Sequence, residues 1–274
     1  MKRLMFLTLF CTIIPLTVNA VSAQEVKQLK TGTISGQLMI KDDVPMSGGR
    51  VFFFKDTSGP PPSQEKYWRV PDYIVDIDNN GRFSAVLSEG KYYLGAVKTI
   101  SGEKIGPPKE GDIFYAGVDE RGKQKTYIIN QGQETDLGVI TGAVPFKRSV
   151  VKFTDGITAI EGTVLDIEGK PVEGALVFAF LTPSRIGKPL FASERTGKDG
   201  RYIIRVHEGG NYYLKARSLY GGGLPKTGEI IGDFGEKGPV AVNVKNGEKL
   251  RGVDIKVKRF IGRGPKAQDK NKNL

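Results

Sequence analysis

Apolar and polar residues alternate with a period of two along most of this chain. Tyr202, Ile204 and Val206 interleave with Ile203, Arg205 and His207, so side chains at i and i+2 share a face, the mark of a half-buried strand. Turn residues punctuate the runs. Lys198-Asp199-Gly200 precedes this strand, and Glu208-Gly209-Gly210-Asn211 follows it before Tyr212–Ala216. The same order of turn, strand, turn and strand occurs upstream over Asn79–Lys98, NNGRFSAVLSEGKYYLGAVK. The patterning predicts two hairpins, Arg82–Leu87 with Tyr92–Thr99 and Arg201–Val206 with Tyr212–Ala216, and a duplicated β-module.

Further strands are expected at Thr33–Ile40, Gly49–Lys55, Tyr67–Ile77, Ile113–Ala116, Thr126–Asn130 and Leu137–Thr141 in the first copy. In the second they are expected at Thr158–Asp166, Ala175–Leu181, Leu190–Arg195 and Leu250–Arg259. Gly162 stands where Gly36 stood, Gly228-Glu229-Ile230 where Gly111-Asp112-Ile113 stood, and Asn246-Gly247-Glu248 where Gln131-Gly132-Gln133 stood. No long stretch has a 3.6-residue period. The fold class is therefore all-β, as two tandem Greek-key-like β-sandwich (prealbumin-like) domains. The expected boundaries are 24–32 for a flexible lead-in, 33–142 for the first sandwich, 143–156 for a linker, 157–260 for the second sandwich and 261–274 for a disordered basic tail.

The first 23 residues read differently. Lys2 and Arg3 precede the apolar run Leu4–Leu16, and Val21-Ser22-Ala23 fits a small-x-small cleavage site, so 1–23 is expected to be a signal peptide. The expected location is across the inner membrane of a bacterium, in the periplasm or at the cell exterior. The single cysteine, Cys11, lies in this segment. The processed chain would hold no thiol, which excludes disulfides, thiolate metal sites and a cysteine nucleophile. Net charge is +11 for the whole chain and +9 without Lys2 and Arg3. The basic residues are spread over strands and loops, which favours an acidic polysaccharide or anionic surface as partner over nucleic acid.

The run I160-E-G-T-V-L-D-I-E-G-K-P-V-E-G-A-L-V, with T196-G-K-D-G-R-Y and G210-N-Y-Y-L-K-A, resembles a carboxypeptidase regulatory-like domain of the transthyretin-like and collagen-adhesin B-type group. I34-S-G-Q-L, D78-N-N-G-R-F and G90-K-Y-Y-L resemble a more divergent copy, in which Lys41–Ser47 lacks the G-K-P-V-E-G-A turn. The resemblance implies an accessory or adhesive module on a secreted protein, grouped with carbohydrate-binding-like sandwiches, and no catalytic role. The isopeptide crosslink of some adhesin B-type domains is not expected, since Ile160–Asp166 contains no Lys.

Candidate chemistry is sparse. Asp76, Asp78 and Asn80 spell the opening of a calcium loop, D-x-D-x-N-G, but the twelfth position is Leu87 and the flanks are strands, so a β-turn is the competing reading. Leu224-Pro225-Lys226-Thr227-Gly228 matches a cell-wall sorting signal, but further strands follow it. The only histidine, His207, lies on a strand with no nucleophile placed beside it. Asp112, Asp119, Glu120, Glu229 and Glu236 show no pair spaced for hydrolysis. No cofactor is implied. The best ligand candidates are aromatics taken as exposed, Tyr67, Trp68 and Tyr73 beside the Pro-rich loop and Tyr115 and Tyr220 near glycine loops, since flat rings suit sugar faces. A core position is the competing reading for Trp68. Three functions stay open: a non-catalytic envelope protein for protein or surface interaction, a carbohydrate-binding module, and a carboxylate-based hydrolase.

Overall fold

The computed structural model describes residues 30–100, 105–147, 156–183, 187–235 and 238–262. The expected signal peptide, residues 24–29 of the lead-in, 148–155 of the expected linker and 263–274 of the tail lie outside the described residues. The described chain is built of strands, with two short 3-10 turns and no α-helix.

Ten strands come from residues 31–145: β1 (Thr31–Ile40), β2 (Val44–Pro45), β3 (Arg50–Lys55), β4 (Trp68–Arg69), β5 (Tyr73–Asp76), β6 (Arg82–Ser88), β7 (Gly90–Lys98), β8 (Ile113–Ala116), β9 (Tyr127–Ile129) and β10 (Glu134–Pro145). Nine of them form the first sandwich. One layer is β6-β1-β10 with β2 at the end of β1, and the other is β5-β3-β7-β8 with β9 against β7. The long strand β10 serves both layers, running parallel to β1 and then pairing Val144 and Pro145 with β8. Ile34, Leu38, Phe83 and Leu87 from one layer meet Val51, Phe53, Tyr92 and Leu94 from the other in a buried core.

The second sandwich contains β11 (Thr158–Leu165), β12 (Leu176–Phe180), β13 (Phe191–Ala192), β14 (Arg201–Val206), β15 (Gly210–Arg217), β16 (Ile230–Asp233), β17 (Ala241–Val244), β18 (Lys249–Leu250), β19 (Ile255–Lys256) and β20 (Lys258–Arg259). Its small layer is β14-β11 with β18 and β19 along β11, and its large layer is β13-β12-β15-β16-β20 with β17 against β15.

Local hydrogen bonds recur between the halves. Leu38 N donates to Gly81 O at 2.8 Å and Val164 N to Gly200 O at 2.9 Å. Thr33 N donates to Gln133 O and Ala159 N to Glu248 O, both at 2.9 Å. The Tyr92 hydroxyl donates to Ser88 O and the Tyr212 hydroxyl to Glu208 O, both at 2.8 Å. Gly36 lies opposite Phe83, and Gly162 opposite Tyr202, so in each case a ring covers a position without a side chain.

Two expected pairings are corrected. β6 and β7 do not form a hairpin, and neither do β14 and β15: β6 pairs with β1 and β7 with β3, β8 and β9, while β14 pairs with β11 and β15 with β12, β16 and β17. Each apparent hairpin is an arch between layers. Both of its strands carry an apolar face, and facing each other across the core buries both faces, which edge-to-edge pairing would not. The expected single strand Tyr67–Ile77 is also two. Pro71 has no N–H to donate and cannot continue a ladder, so β4 and β5 lie on different sheets.

The turns of the type D-x-x-G-[K/R] explain the calcium-like sequence. Asp78 Oδ1 accepts from Asn80 N and Arg82 N, both at 2.8 Å. Asp119 Oδ1 accepts from Arg121 N and Lys123 N at 2.9 Å, and Asp166 Oδ1 from Glu168 N at 2.8 Å and Lys170 N at 2.9 Å. Gly81, Gly122 and Gly169 hold φ of +80°, +74° and +81°, which completes the turn. Asp76 instead pairs with Arg50 at 3.1 Å. The carboxylate of Asp78 thus faces N–H donors, and the Asp76-Asp78-Asn80 run is a turn with its Asx side chain bonded to its own backbone.

At Gly162 an added Cβ would stand 1.9 Å from the carbonyl of Val253, on the neighbouring segment between β18 and β19 of the same layer; at Gly36 the nearest atom would be the Phe83 ring, at 3.1 Å. Gly162→Ala is expected to cost about 2–3 kcal/mol and Gly36→Ala less than about 1 kcal/mol, because a ring can shift and a strand carbonyl cannot. Urea unfolding of the two variants, side by side, checks the order.

Candidate functional site at the joint between the sandwiches

The segment between β3 and β5 leaves the first sandwich and adds β4 to the edge of the second. Arg69 pairs with Phe191 and Trp68 with Ala192. Val70 N donates to Leu190 O at 2.9 Å, and Arg205 donates to Glu65 O at 2.8 Å. Tyr67 enters the second core, with its ring 5.1 Å edge-on from Phe191 and its hydroxyl donating to Pro61 O at 2.8 Å. The ring of His207 stands against Tyr67 at 5.5 Å, so the one histidine packs on the joint.

A charge cluster fixes this excursion. The Arg69 side chain is fully buried and donates to Gly59 O, Pro60 O, Lys55 O and Asp72. Asp72 also accepts from Lys55 N at 2.7 Å and pairs with Lys188 at 2.8 Å; Lys188 donates in turn to Val70 O at 2.9 Å. Burial lowers the pKa of Lys188 and of Arg69, and Asp72 works against the shift in both. Sequence reasoning passed over all three residues. The available signal was Arg69 set in the apolar run Tyr67-Trp68-Arg69-Val70 just before Pro71.

β4 also extends the outer face of the large layer. Val70, Leu176, Phe178, Phe180 and Ala192 are buried there, so β12 is covered on both faces. Trp68 packs 5.9 Å from Phe146, which packs 5.6 Å from Phe114, and Tyr220 packs 5.7 Å from Phe178. The indole N–H of Trp68 is buried without an acceptor among the described residues.

Two loops flank the joint, and one set of bonds builds both. In Lys109–Asp112, Lys109 N donates to Asp112 Oδ2 at 2.8 Å, Asp112 N to Lys109 O at 3.0 Å and Gly111 N to Phe146 O at 2.9 Å. In Lys226–Glu229, Lys226 N donates to Glu229 Oε2 at 3.0 Å, Glu229 N to Lys226 O at 2.9 Å and Gly228 N to Phe260 O at 2.8 Å. The L-P-K-T-G run is therefore the second use of a loop closed on a buried carboxylate. Burial alone would raise the Glu229 carboxyl, but the two-pronged contact from Arg217, at 2.5 and 2.9 Å, outweighs it and holds the group below the usual carboxylate range. Arg195 bridges the two halves of the chain, donating to Gly174 O and Ser218 O in the second and to Ile105 O in the first.

The five aromatic candidates do not form one exposed platform. Tyr67 and Tyr115 are buried, in the second and first core respectively, because each strand turns them inward. Tyr73 is half-buried against Tyr92 at 6.1 Å, and its hydroxyl lies 3.4 Å from Ser88 Oγ. Trp68 and Tyr220 are half-buried on the outer face that the joint covers. Among the acids, Asp112 and Glu229 are spent on their loops, Asp119 on its turn, and Glu236 lies outside the described residues. Among the described residues no group of three His, Cys, Asp or Glu side chains could hold a metal ion, and no helix is long and apolar enough to cross a membrane.

No family model matches the chain, and no curated protein matches it. Among solved structures it is similar to the Bacillus anthracis TIE protein, at 14% identity and a TM-score of 0.27 over 84% of this chain and 34% of that one. It is similar to a minor pilin of Streptococcus agalactiae, at 12% identity and a TM-score of 0.25 over 84% of this chain and 96% of the pilin. A streptococcal ancillary pilin gives 15% identity and a TM-score of 0.23, with 84% of this chain and 63% of the pilin covered. The superpositions are loose, and the chain spans 34% and 27% of the first two structures that it matches.

Two outcomes are expected at the joint. Tyr67→Ala should cost about 3–5 kcal/mol, and the loss of hydrogen-exchange protection should fall on 176–180 and 210–217, in the second sandwich. The buried phenols also set an alkaline limit. Burial pushes Tyr67 and Tyr115 up to about 12 from 10.0, so the folded protein holds protons that the unfolded chain gives up first. Their contribution to stability is whole below pH 10 and is lost as pH rises toward 12. Ultraviolet titration should show phenolate forming late, together with unfolding; reversible titration of every tyrosine near pH 10 in the folded protein would put these rings at the surface.

Proposed function

We propose that this chain is a non-catalytic, secreted protein of the bacterial envelope, made of two copies of a carboxypeptidase regulatory-like sandwich, and that it serves interaction with proteins or surfaces. The recurrence of hydrogen bonds at matching positions supports the duplication. One observation carries the interaction reading: the joint ties two sandwiches together through β4 and through Arg195, which bonds to both halves, and each sandwich carries a similarly built loop. A rigid scaffold that fixes loops relative to one another is what a recognition surface requires. Leu224, just before the second loop, is 91% exposed and is the apolar contact that this reading assigns to it.

The envelope part of the reading rests on the expected signal peptide at 1–23, and the chain after it holds no thiol for an oxidising compartment to pair. The test is fractionation with N-terminal sequencing, followed by binding of the labelled, processed protein to intact cells. A mature N-terminus at Gln24, and saturable binding that Leu224→Asp weakens about tenfold while leaving the melting temperature unchanged, are expected. An unprocessed chain in the cytoplasm, or glycan turnover that survives repurification, would overturn it.

A further inference from the structure

The small layer of the first sandwich ends on a strand whose outer side is bare. β6 pairs with β1 from Thr31↔Ser88 to Gln37↔Arg82 without a register shift. Leu38 N donates to Gly81 O at one end of this ladder and Glu89 N to Lys30 O at the other, both at 2.8 Å. Residues of an antiparallel strand alternately bond to the partner and turn their backbone groups away from it. Phe83, Ala85 and Leu87 therefore bond to β1, while Arg82, Ser84, Val86 and Ser88 turn their N–H and C=O groups outward. The ends are spent. Arg82 N donates to Asp78 Oδ1, Arg82 O accepts from Asp78 N, and Ser88 O accepts from the Tyr92 hydroxyl. The backbone groups of Ser84 and Val86 have no partner among the described residues, and Val86 is 66% exposed.

Comparable edges are blunted. At the matching position of the second sandwich Arg205 replaces Val86, and it donates to Glu65 O of the joint segment. β10 is broken by two register shifts. β5 is short and ties Asp76 to Arg50. Natural sheets close their edges by such means, with charges, bulges, short strands or a covering segment. β6 has no proline and no bulge, and its one charge stands at its end.

We propose that β6 pairs antiparallel with β6 of a second copy of this chain, joining the two small layers into one sheet across a two-fold axis at Ala85. Ser84 of each copy then faces Val86 of the other, and the two exchange both of their outward backbone hydrogen bonds. Arg82 faces Ser88 of the second copy. The only charge on the strand thus stays at opposite ends of the contact, and no like charges meet. This match of the strand to itself selects a second copy as the occupant. A foreign extended peptide would draw its specificity from pockets for alternate side chains, and a serine and a valine on an open edge shape none. A contact of one strand with itself is isologous, so assembly stops at two copies. Ser84 and Val86 carry all of its backbone bonds, so the dimer is weak and set by concentration. It goes beyond the interaction reading and does not depend on it, since cell binding through the loops needs no second copy.

The experiment is sedimentation velocity of the processed protein over a concentration series, with amide exchange read residue by residue at both ends of the series. A monomer–dimer equilibrium is expected. Exchange at Ser84 and Val86 should slow at least about tenfold from monomer to dimer, and exchange at Phe83 and Ala85, already bonded to β1, should change less. Val86→Pro removes an outward N–H and leaves the β1 ladder whole, so it should raise the dissociation constant at least about tenfold. Should the proline unfold the first sandwich, Val86→Lys reads the same effect by setting two ammonium groups beside the two-fold axis. Val139→Lys, on β10 at the far side of the same layer, should leave the equilibrium unchanged. A monomer at every concentration, which would leave the edge to a foreign strand, would overturn the proposal. So would a dimer whose Ser84 and Val86 amides exchange as fast as in the monomer, or one that Val139→Lys weakens as much as Val86→Lys. Protection of the two amides that is independent of concentration would also overturn it, since the chain would then cover its own edge.

Discussion

The whole arrangement depends on a strand that leaves one sandwich to complete another. β4 has only two residues, too few to stand alone as an edge, and it holds because its neighbours on both sides are anchored. On one side Tyr67 sits in the second core. On the other, Asp72 gathers Arg69, Lys188 and the amide of Lys55. An arginine whose side chain is wholly buried is expensive to desolvate, and here three backbone carbonyls and a carboxylate offset that cost. The polar cluster fixes the register of the excursion, and the aromatic ring supplies the burial that makes it favourable.

The same economy governs the loops. Asp112 and Glu229 are buried acids, the residues that invite a catalytic reading in a sequence. Each accepts the amide of a lysine three residues before it and closes a short loop. Glu229 is additionally gripped by Arg217, which itself holds Gly221 O and Gly223 O of the glycine loop. Their charge is thus spent on loop shape. Such loops stay rigid without a disulfide, in a chain whose one cysteine lies near its start.

Much of the fold was legible because the period of two is a local property. Phe83, Ala85 and Leu87 announce a buried face whatever their strand pairs with, and the correspondence of Gly36 with Gly162 appears in the cross-strand pairs with Phe83 and Tyr202. What alternation cannot say is which neighbour a strand bonds to. Arg82–Ser88 and Gly90–Lys98 read as a hairpin, although their apolar faces meet across the core. The aromatic candidates fared similarly. Tyr67, beside a proline run, carries no local sign of the core it enters, because that core is made by residues far along the chain. Only Pro71 marked the place where the chain changes sheets. Nor does alternation show that Glu134 and Lys249 stand at matching positions beside Thr33 and Ala159, which only the pairing reveals.

The donated strand also imposes an order of events. A chain made or exported from its N-terminus can assemble the first sandwich before β12 and β13 exist. During that interval Tyr67, Trp68 and Val70 have no sheet to join. The first half must therefore wait, apolar edge open, for a partner encoded far downstream. That waiting state, and not the finished molecule, is where a rescuing chaperone or a misplaced neighbour would find its opportunity.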